Sequence, residues 1–164
     1  MVSKDPSQIL IRKAKLHDVE RIVQITAEAF EGYTVYYLLE KKYGIKFGGK
    51  LWSEWKGAEL KTFCESSLDR VYVAELKGVV VGYMTYSLDR VRRVGSVGNN
   101  AVSPAYQRRG IATNLLKAVL ETFKQEGMEY AQVGTMEIDI PARRLYENAG
   151  FEELYRSVYY SMKL

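Results

Sequence analysis

Val97-Gly98-Asn99-Asn100-Ala101-Val102-Ser103-Pro104-Ala105-Tyr106-Gln107-Arg108-Arg109-Gly110-Ile111-Ala112 is the stretch from which the rest of the chain is read. It begins as a strand, stops at Ser103-Pro104 and turns through a basic, glycine-containing loop straight into a helix. A helix that starts at such a turn presents unpaired backbone N–H groups and a positive dipole end, which suits an anion. Gly110 has no side chain and Ala112 a minimal one, so a bulky anionic group can lie against the backbone. Arg108 and Arg109 add mobile positive charge. The chemistry is that of a phosphate or pyrophosphate cradle.

Downstream, Ile111, Leu115, Leu116, Val119, Leu120 and Phe123 share one face of a helix over about 109–126, closed by Gly127. A strand over 130–136 follows and makes a right-handed strand–helix–strand unit. Pro141 opens a short helix that ends before Gly150. The tail over 151–163 reads as a last strand or hairpin, with Val158, Tyr160 and Met162 alternating against Tyr159 and Ser161.

Upstream, the run 79–88 is apolar on both faces and belongs at the centre of a sheet. Lys77-Gly78 joins it to a strand over 71–76 as a hairpin. Gly95, Gly98 and the paired asparagines predict a bulge in the strand that enters the cradle. Residues 9–14 form a first strand, and Val19, Ile22, Val23 and Phe30 mark one face of a helix whose first-turn amides Asp18 is placed to accept from. Between them, 31–67 is glycine-punctuated and aromatic, with two helices over about 33–43 and 51–67. Its aromatic residues either line a substrate pocket or pack the helices together. The elements therefore run β, two or three helices, β-β-β, α, β, α, β. That order predicts an α+β (mixed α/β) fold, a sheet of about six to seven strands with helices on both faces.

The 164 residues carry no internal repeat or linker and read as a single domain with a polar tail over 1–8. With 47% hydrophobic and 27% charged residues the composition is that of a folded globular chain. No stretch approaches the ~20 apolar residues that cross a bilayer, so no membrane partner is expected. The start lacks an apolar signal region, and a cytoplasmic location is expected. Cys64 is the only cysteine, which excludes a disulfide framework and a multi-cysteine metal site. It sits in a helix without a neighbouring cation and is expected to be inert. His17, the only histidine, reads as a loop or cap residue. The net charge of +4 suits an anionic partner but selects neither nucleic acid nor a phosphorylated cofactor. The basic clusters lie in the cradle rather than on an aromatic face, so no nucleic-acid partner is expected.

Two segments carry a resemblance. Val102-x-Pro104-x-x-Gln107-x-x-Gly110-x-Ala112 and Ala142-x-x-x-Tyr146-Glu147-x-x-Gly150-Phe151 resemble the cofactor and C-terminal motifs of the GNAT superfamily of acyl-CoA-dependent N-acetyltransferases. The order of elements agrees over 9–164. The resemblance implies a mostly antiparallel twisted sheet with a splayed strand pair, and acetyl-CoA as cofactor. It implies transfer of an acetyl group to a primary amine, of a small molecule, peptide or protein, by direct attack in a ternary complex. Gln107, Arg108, Arg109, Gly110, Ile111, Ala112 and Thr113 would seat the pyrophosphate, and the backbone of Ala101 and Val102 would pair with the pantetheine amides. Tyr146 matches the tyrosine beside the sulfur. Arg143, like Arg144, either pairs with the remaining phosphate or is solvated surface charge. Asp139 stands where the family often has an asparagine on the cofactor.

Many members also place a glutamate on the strand before the cradle, where this chain offers only Asn99 and Asn100. Glu28, Glu31 and Glu137 are the carboxylates left to consider. A non-catalytic acyl-CoA-binding module is the alternative reading. The amine acceptor would be chosen by 31–67, and a homodimer through the tyrosine-rich C-terminal strand is a further possible partner.

Overall fold

The computed structural model describes residues 9–44 and 47–164; the expected polar tail over 1–8 lies outside the described residues. The sheet is built from β1 (Ile9–Lys13), β2 (Val71–Leu76), β3 (Val79–Asp89), β4 (Val94–Val102) and β5 (Tyr130–Gln132), in that spatial order. The first four are antiparallel and β5 joins β4 in parallel. β3 is buried from Val80 to Tyr86, as a run apolar on both faces requires. Lys77 and Gly78 both take positive φ, the conformation a two-residue hairpin turn needs.

Helices cover both faces. On one, α1 (Val19–Ala29) and α3 (Trp52–Ser66) bury Ile22, Ile25, Leu60 and Cys64 against Val71, Val73 and Tyr83. α2 (Val35–Tyr43) buries no residue of its own and leans on α3 through an edge-to-face contact of Tyr37 with Trp52. On the other face, α4 (Ile111–Gln125) packs Ile111, Leu115, Leu116, Val119 and Phe123 against Val81, Met84, Val97 and Val102. α5 (Ile140–Asn148) adds Tyr146 to that core. Among the described residues no helix is long and apolar enough to cross a membrane.

Four expectations are corrected. The strand predicted over 130–136 ends at Gln132, because β4 pairs with β5 only from Val94 to Ser96 and then leaves it. The tail predicted as a strand or hairpin takes no regular structure over 151–164. Its alternation marks which side chains would share a face but names no partner strand, and Leu154 and Tyr160 stay 89% and 87% exposed. The sheet therefore has five strands rather than six or seven. Asp18 turns away from α1: its Oδ2 accepts from the Lys15 amide at 2.7 Å, and the Arg12 guanidinium donates to both its oxygens at 2.7 and 3.1 Å. A two-pronged charged donor outcompetes the helix amides.

Candidate active site

β4 carries the site on its free edge. Its pairing with β3 shifts between Met84, opposite Asn100, and Tyr86, opposite Val97, so Gly98 and Asn99 together face Thr85. This is the bulge read from the glycines. A Cβ at Gly98 would stand 2.4 Å from Thr85 Oγ1, whose hydroxyl donates to the Asn99 carbonyl at 3.1 Å. On the other side β4 has no ladder partner beyond Ser96, which is the splayed pair that was expected.

The Ser103 amide donates to the Val81 carbonyl at 2.9 Å. Antiparallel alternation then turns the backbone of Ala101 toward β3 and that of Val102 and Asn100 toward the free edge. The Val102 carbonyl accepts from Gln107 Nε2 at 3.0 Å, so Gln107 ties the turn to the strand and the Val102 amide faces the opening. Of the two residues expected to meet the pantetheine, Val102 turns its backbone to the free edge and Ala101 turns its own to β3.

The turn into α4 has the form of an anion cradle. Arg108 and Gly110 both hold positive φ, at 61° and 76°. For arginine this is a conformation that costs energy and recurs at ligand sites. Among the described residues the amides of Arg108, Arg109, Gly110, Ile111, Ala112 and Thr113 find no acceptor, and the first engaged is that of Asn114, on the Gly110 carbonyl at 3.0 Å. Arg109 lies over the Tyr106 ring and donates through Nη2 to the Ala105 carbonyl, while its Nη1 is buried without a partner. Unengaged first-turn amides and the left-handed backbone at Arg108 and Gly110 give this turn the form of an anion site.

Tyr146 comes to the same strand from α5. Pro141 sits in the first turn of that helix, and Asp139 caps it by accepting from the Ala142 amide at 3.2 Å. The Thr135 hydroxyl donates to its other oxygen, so Asp139 serves the helix. The Tyr146 ring is buried edge-on to Phe151, and its hydroxyl accepts from Asn100 Nδ2 at 2.9 Å. Burial pushes the phenol above its ordinary range, against the pull of the Asn100 bond, so it stays protonated at neutral pH. Its own proton is free to be donated elsewhere. Arg143 spends its guanidinium on the Glu137 carbonyl, with Glu147 and Glu153 near 4 Å.

Two of the three carboxylates considered from sequence are engaged elsewhere. Glu28 takes a hydrogen bond from Ser103 at 2.7 Å and pairs with Arg21; burial raises its carboxyl, but these contacts outweigh it and hold the group below its usual range. Glu137 is ion-paired with Arg156. Glu31 lines a cleft of about 510 Å³ with Tyr37, Glu40 and Trp52. Cys64 is buried, which pushes its thiol up to about 11, in keeping with the expectation that it is inert.

One carboxylate does meet β4, and sequence reasoning missed it. Glu59 of α3 accepts through Oε1 from Lys56 Nζ at 2.7 Å and from Asn99 Nδ2 at 3.2 Å. Lys56 also donates to Asn99 Oδ1 at 2.7 Å and lies over the Phe30 ring. The Tyr36 hydroxyl donates to Glu59 Oε2 at 3.2 Å. Asn99 and Asn100, adjacent in the chain, thus lead to Glu59 and to Tyr146 respectively. Glu59 stands 40 residues before Asn99 in an irregular aromatic stretch, and no local spacing connects them.

The acetyltransferase (GNAT) family matches residues 11–151. An uncharacterized N-acetyltransferase of Methanocaldococcus jannaschii is 24% identical over 87% of this chain, which spans 60% of that relative's length. An N-alpha-acetyltransferase of Sulfurisphaera tokodaii is 29% identical over 93% of this chain and 85% of its own. The crystal structure of a GNAT family acetyltransferase from Brucella melitensis in complex with acetyl-CoA superposes with a TM-score of 0.62 at 22% identity, over 88% of this chain and 83% of that one. The free strand edge, the cradle and the tyrosine that meets them thus lie within the matched residues, and the chain belongs to the acetyltransferase (GNAT) family.

Proposed function

We propose that this chain is an acetyl-CoA-dependent N-acetyltransferase that acetylates a primary α-amine, of a peptide or protein N-terminus, in a ternary complex. The observation that carries the reading is the convergence on the free edge of β4: six unengaged amides and Arg109 at one end, and the protonated Tyr146 hydroxyl held by Asn100 further along. The cofactor would supply the acetyl group as a thioester. The amides of residues 108–113 and Arg109 would hold its pyrophosphate, and the Val102 amide would donate to the thioester oxygen, where negative charge develops. The neutral amine would form the C–N bond as the C–S bond breaks, and the departing CoA thiolate would take up the proton that nitrogen loses. Tyr146 would donate a hydrogen bond to the sulfur. A phenol near 10 gives up its proton to a thiolate of a thiol near 8.5 only at a cost of about 2 kcal/mol, so Tyr146 acts as a hydrogen-bond donor.

The lack of a carboxylate on β4 supports an α-amine. An alkyl ammonium near 10.4 is only about 0.04% free at pH 7, whereas an α-amine near 8.0 is roughly a tenth free and needs no strong base. The relatives named N-alpha-acetyltransferase point the same way. The test is release of free CoA from acetyl-CoA by purified protein, given peptides with Ser, Ala or Met at the N-terminus, N-acetylated controls, spermidine and an aminoglycoside. Turnover with the free N-termini alone is expected. Acetyl-CoA binding without CoA release on any amine would make the chain a binding module instead.

A further inference from the structure

We infer that Glu59 of α3 is the acceptor-binding carboxylate, which takes a hydrogen bond from the incoming amine and, with Lys56, admits that amine in its neutral form; this rests on the acyl transfer proposed above. Strand alternation, in the phase set by the bulge, sends Asn99 to Glu59 on one face of β4 and Asn100 to Tyr146 on the other. An acyl group on the free edge therefore has the donor for its departing sulfur on one side and a carboxylate on the other. An amine must approach along a direction the sulfur does not occupy, and that side belongs to Glu59.

Glu59 has capacity to spare. A carboxylate offers about four lone-pair sites, of which Lys56, Asn99 and a long bond from Tyr36 use three. The open site lies on Oε2, and the side chain is 40% exposed, so a ligand can reach it.

Lys56 sets the selectivity. It is only 8% exposed and is fixed by Glu59, Asn99 and the Phe30 ring. It cancels the charge of Glu59 and repels a second cation, so the pair receives a neutral amine as a hydrogen-bond donor rather than an ammonium as a counterion. Glu59 therefore orients the amine through that hydrogen bond. The site thus favours α-amines over lysine side chains.

The experiment compares wild type, Glu59→Gln and Lys56→Met with acetyl-CoA and two peptides, one with a free N-terminal serine and one N-blocked with an internal lysine. Acetyl-CoA affinity is measured by calorimetry and folding by thermal melting. Expected for Glu59→Gln is a KM for the serine peptide raised about tenfold or more, with acetyl-CoA affinity and melting unchanged. Lys56→Met should raise the kcat/KM ratio of lysine peptide to serine peptide, a shift that a merely structural lysine would not produce. An unchanged KM in Glu59→Gln, or an unchanged preference in Lys56→Met, overturns the inference. So does a parallel loss of acetyl-CoA affinity and folding in both variants. Wild type that binds acetyl-CoA but acetylates neither peptide overturns the underlying acyl transfer and this inference with it.

Discussion

A tyrosine hydroxyl has one proton and can give it to only one acceptor. In Tyr146 the Asn100 amide occupies the oxygen as a donor, which leaves the phenolic proton uncommitted. Replacement of Tyr146 by Phe keeps the ring packed on Phe151 and deletes the hydroxyl, both its proton and the oxygen that Asn100 donates to. The expected result is a kcat lowered about 10²-fold, the lower end of what a proton-donating side chain contributes, with acetyl-CoA affinity within twofold of wild type. Asn100→Ala should cost less, since the phenol survives but loses its orientation. Steady-state kinetics beside calorimetric binding separates the two effects, and an unchanged kcat in Tyr146→Phe would remove the hydroxyl from the chemistry. Cys64 offers a contrasting case, because a thiol pushed up to about 11 by burial is not a nucleophile at neutral pH. It should resist a thiol reagent in the native protein and react at once in denaturant.

At the scale of elements, strand alternation sends the two asparagines to opposite faces of β4, and the bulge sets which of them faces which layer. Gly98→Ala would push a Cβ to within 2.4 Å of Thr85 Oγ1 and so break the bond from that hydroxyl to the Asn99 carbonyl. Overpacking of this kind costs about 1–3 kcal/mol, which denaturant unfolding would read. Because Asn99 and Asn100 both shift, kcat should fall while acetyl-CoA affinity, which the proposed cradle in the α4 turn would hold, is kept. The double variant Gly98→Ala with Thr85→Ala removes the clash and should recover much of the stability; if it does not, the strain lies elsewhere. What was legible in the sequence divides along the same line. Helix α4 and hairpin β2–β3 declare themselves through local signals: apolar residues at helical spacing, and glycine at a turn. The cradle and Tyr146 were legible because each sits in a short motif whose spacing is local. The tail was misread because alternation specifies a face but not a partner edge, and β5 stops after three residues. Glu59 was illegible because its meaning comes from Asn99, which only the folded sheet brings beside it.

Across the whole molecule, the two helical layers are joined through the sheet, and one side chain ties the sheet edge to the start of the α1 layer. Arg12 of β1 donates to Glu75 of β2 at 2.8 Å and with two nitrogens to Asp18, just before α1. Asp18 is buried. Burial raises its carboxyl, but the Arg12 guanidinium and the Lys15 amide outweigh that and hold it below its ordinary value. A carboxyl depressed in the folded state contributes stability that is full above its unfolded value, near 3.9, and is lost as pH falls through the folded one. Asp18→Asn should therefore cost about 1.5–3 kcal/mol at pH 7, the range for hydrogen bonds to charged groups. The gap between wild type and variant should hold between pH 7 and pH 5 and close as pH drops from 4 toward 2. Urea unfolding at each pH measures it. A gap that stayed constant down to pH 2 would mean that Asp18 acts through shape and hydrogen bonding alone, and that the charge of the Arg12 pair adds nothing to the joining of sheet and helices.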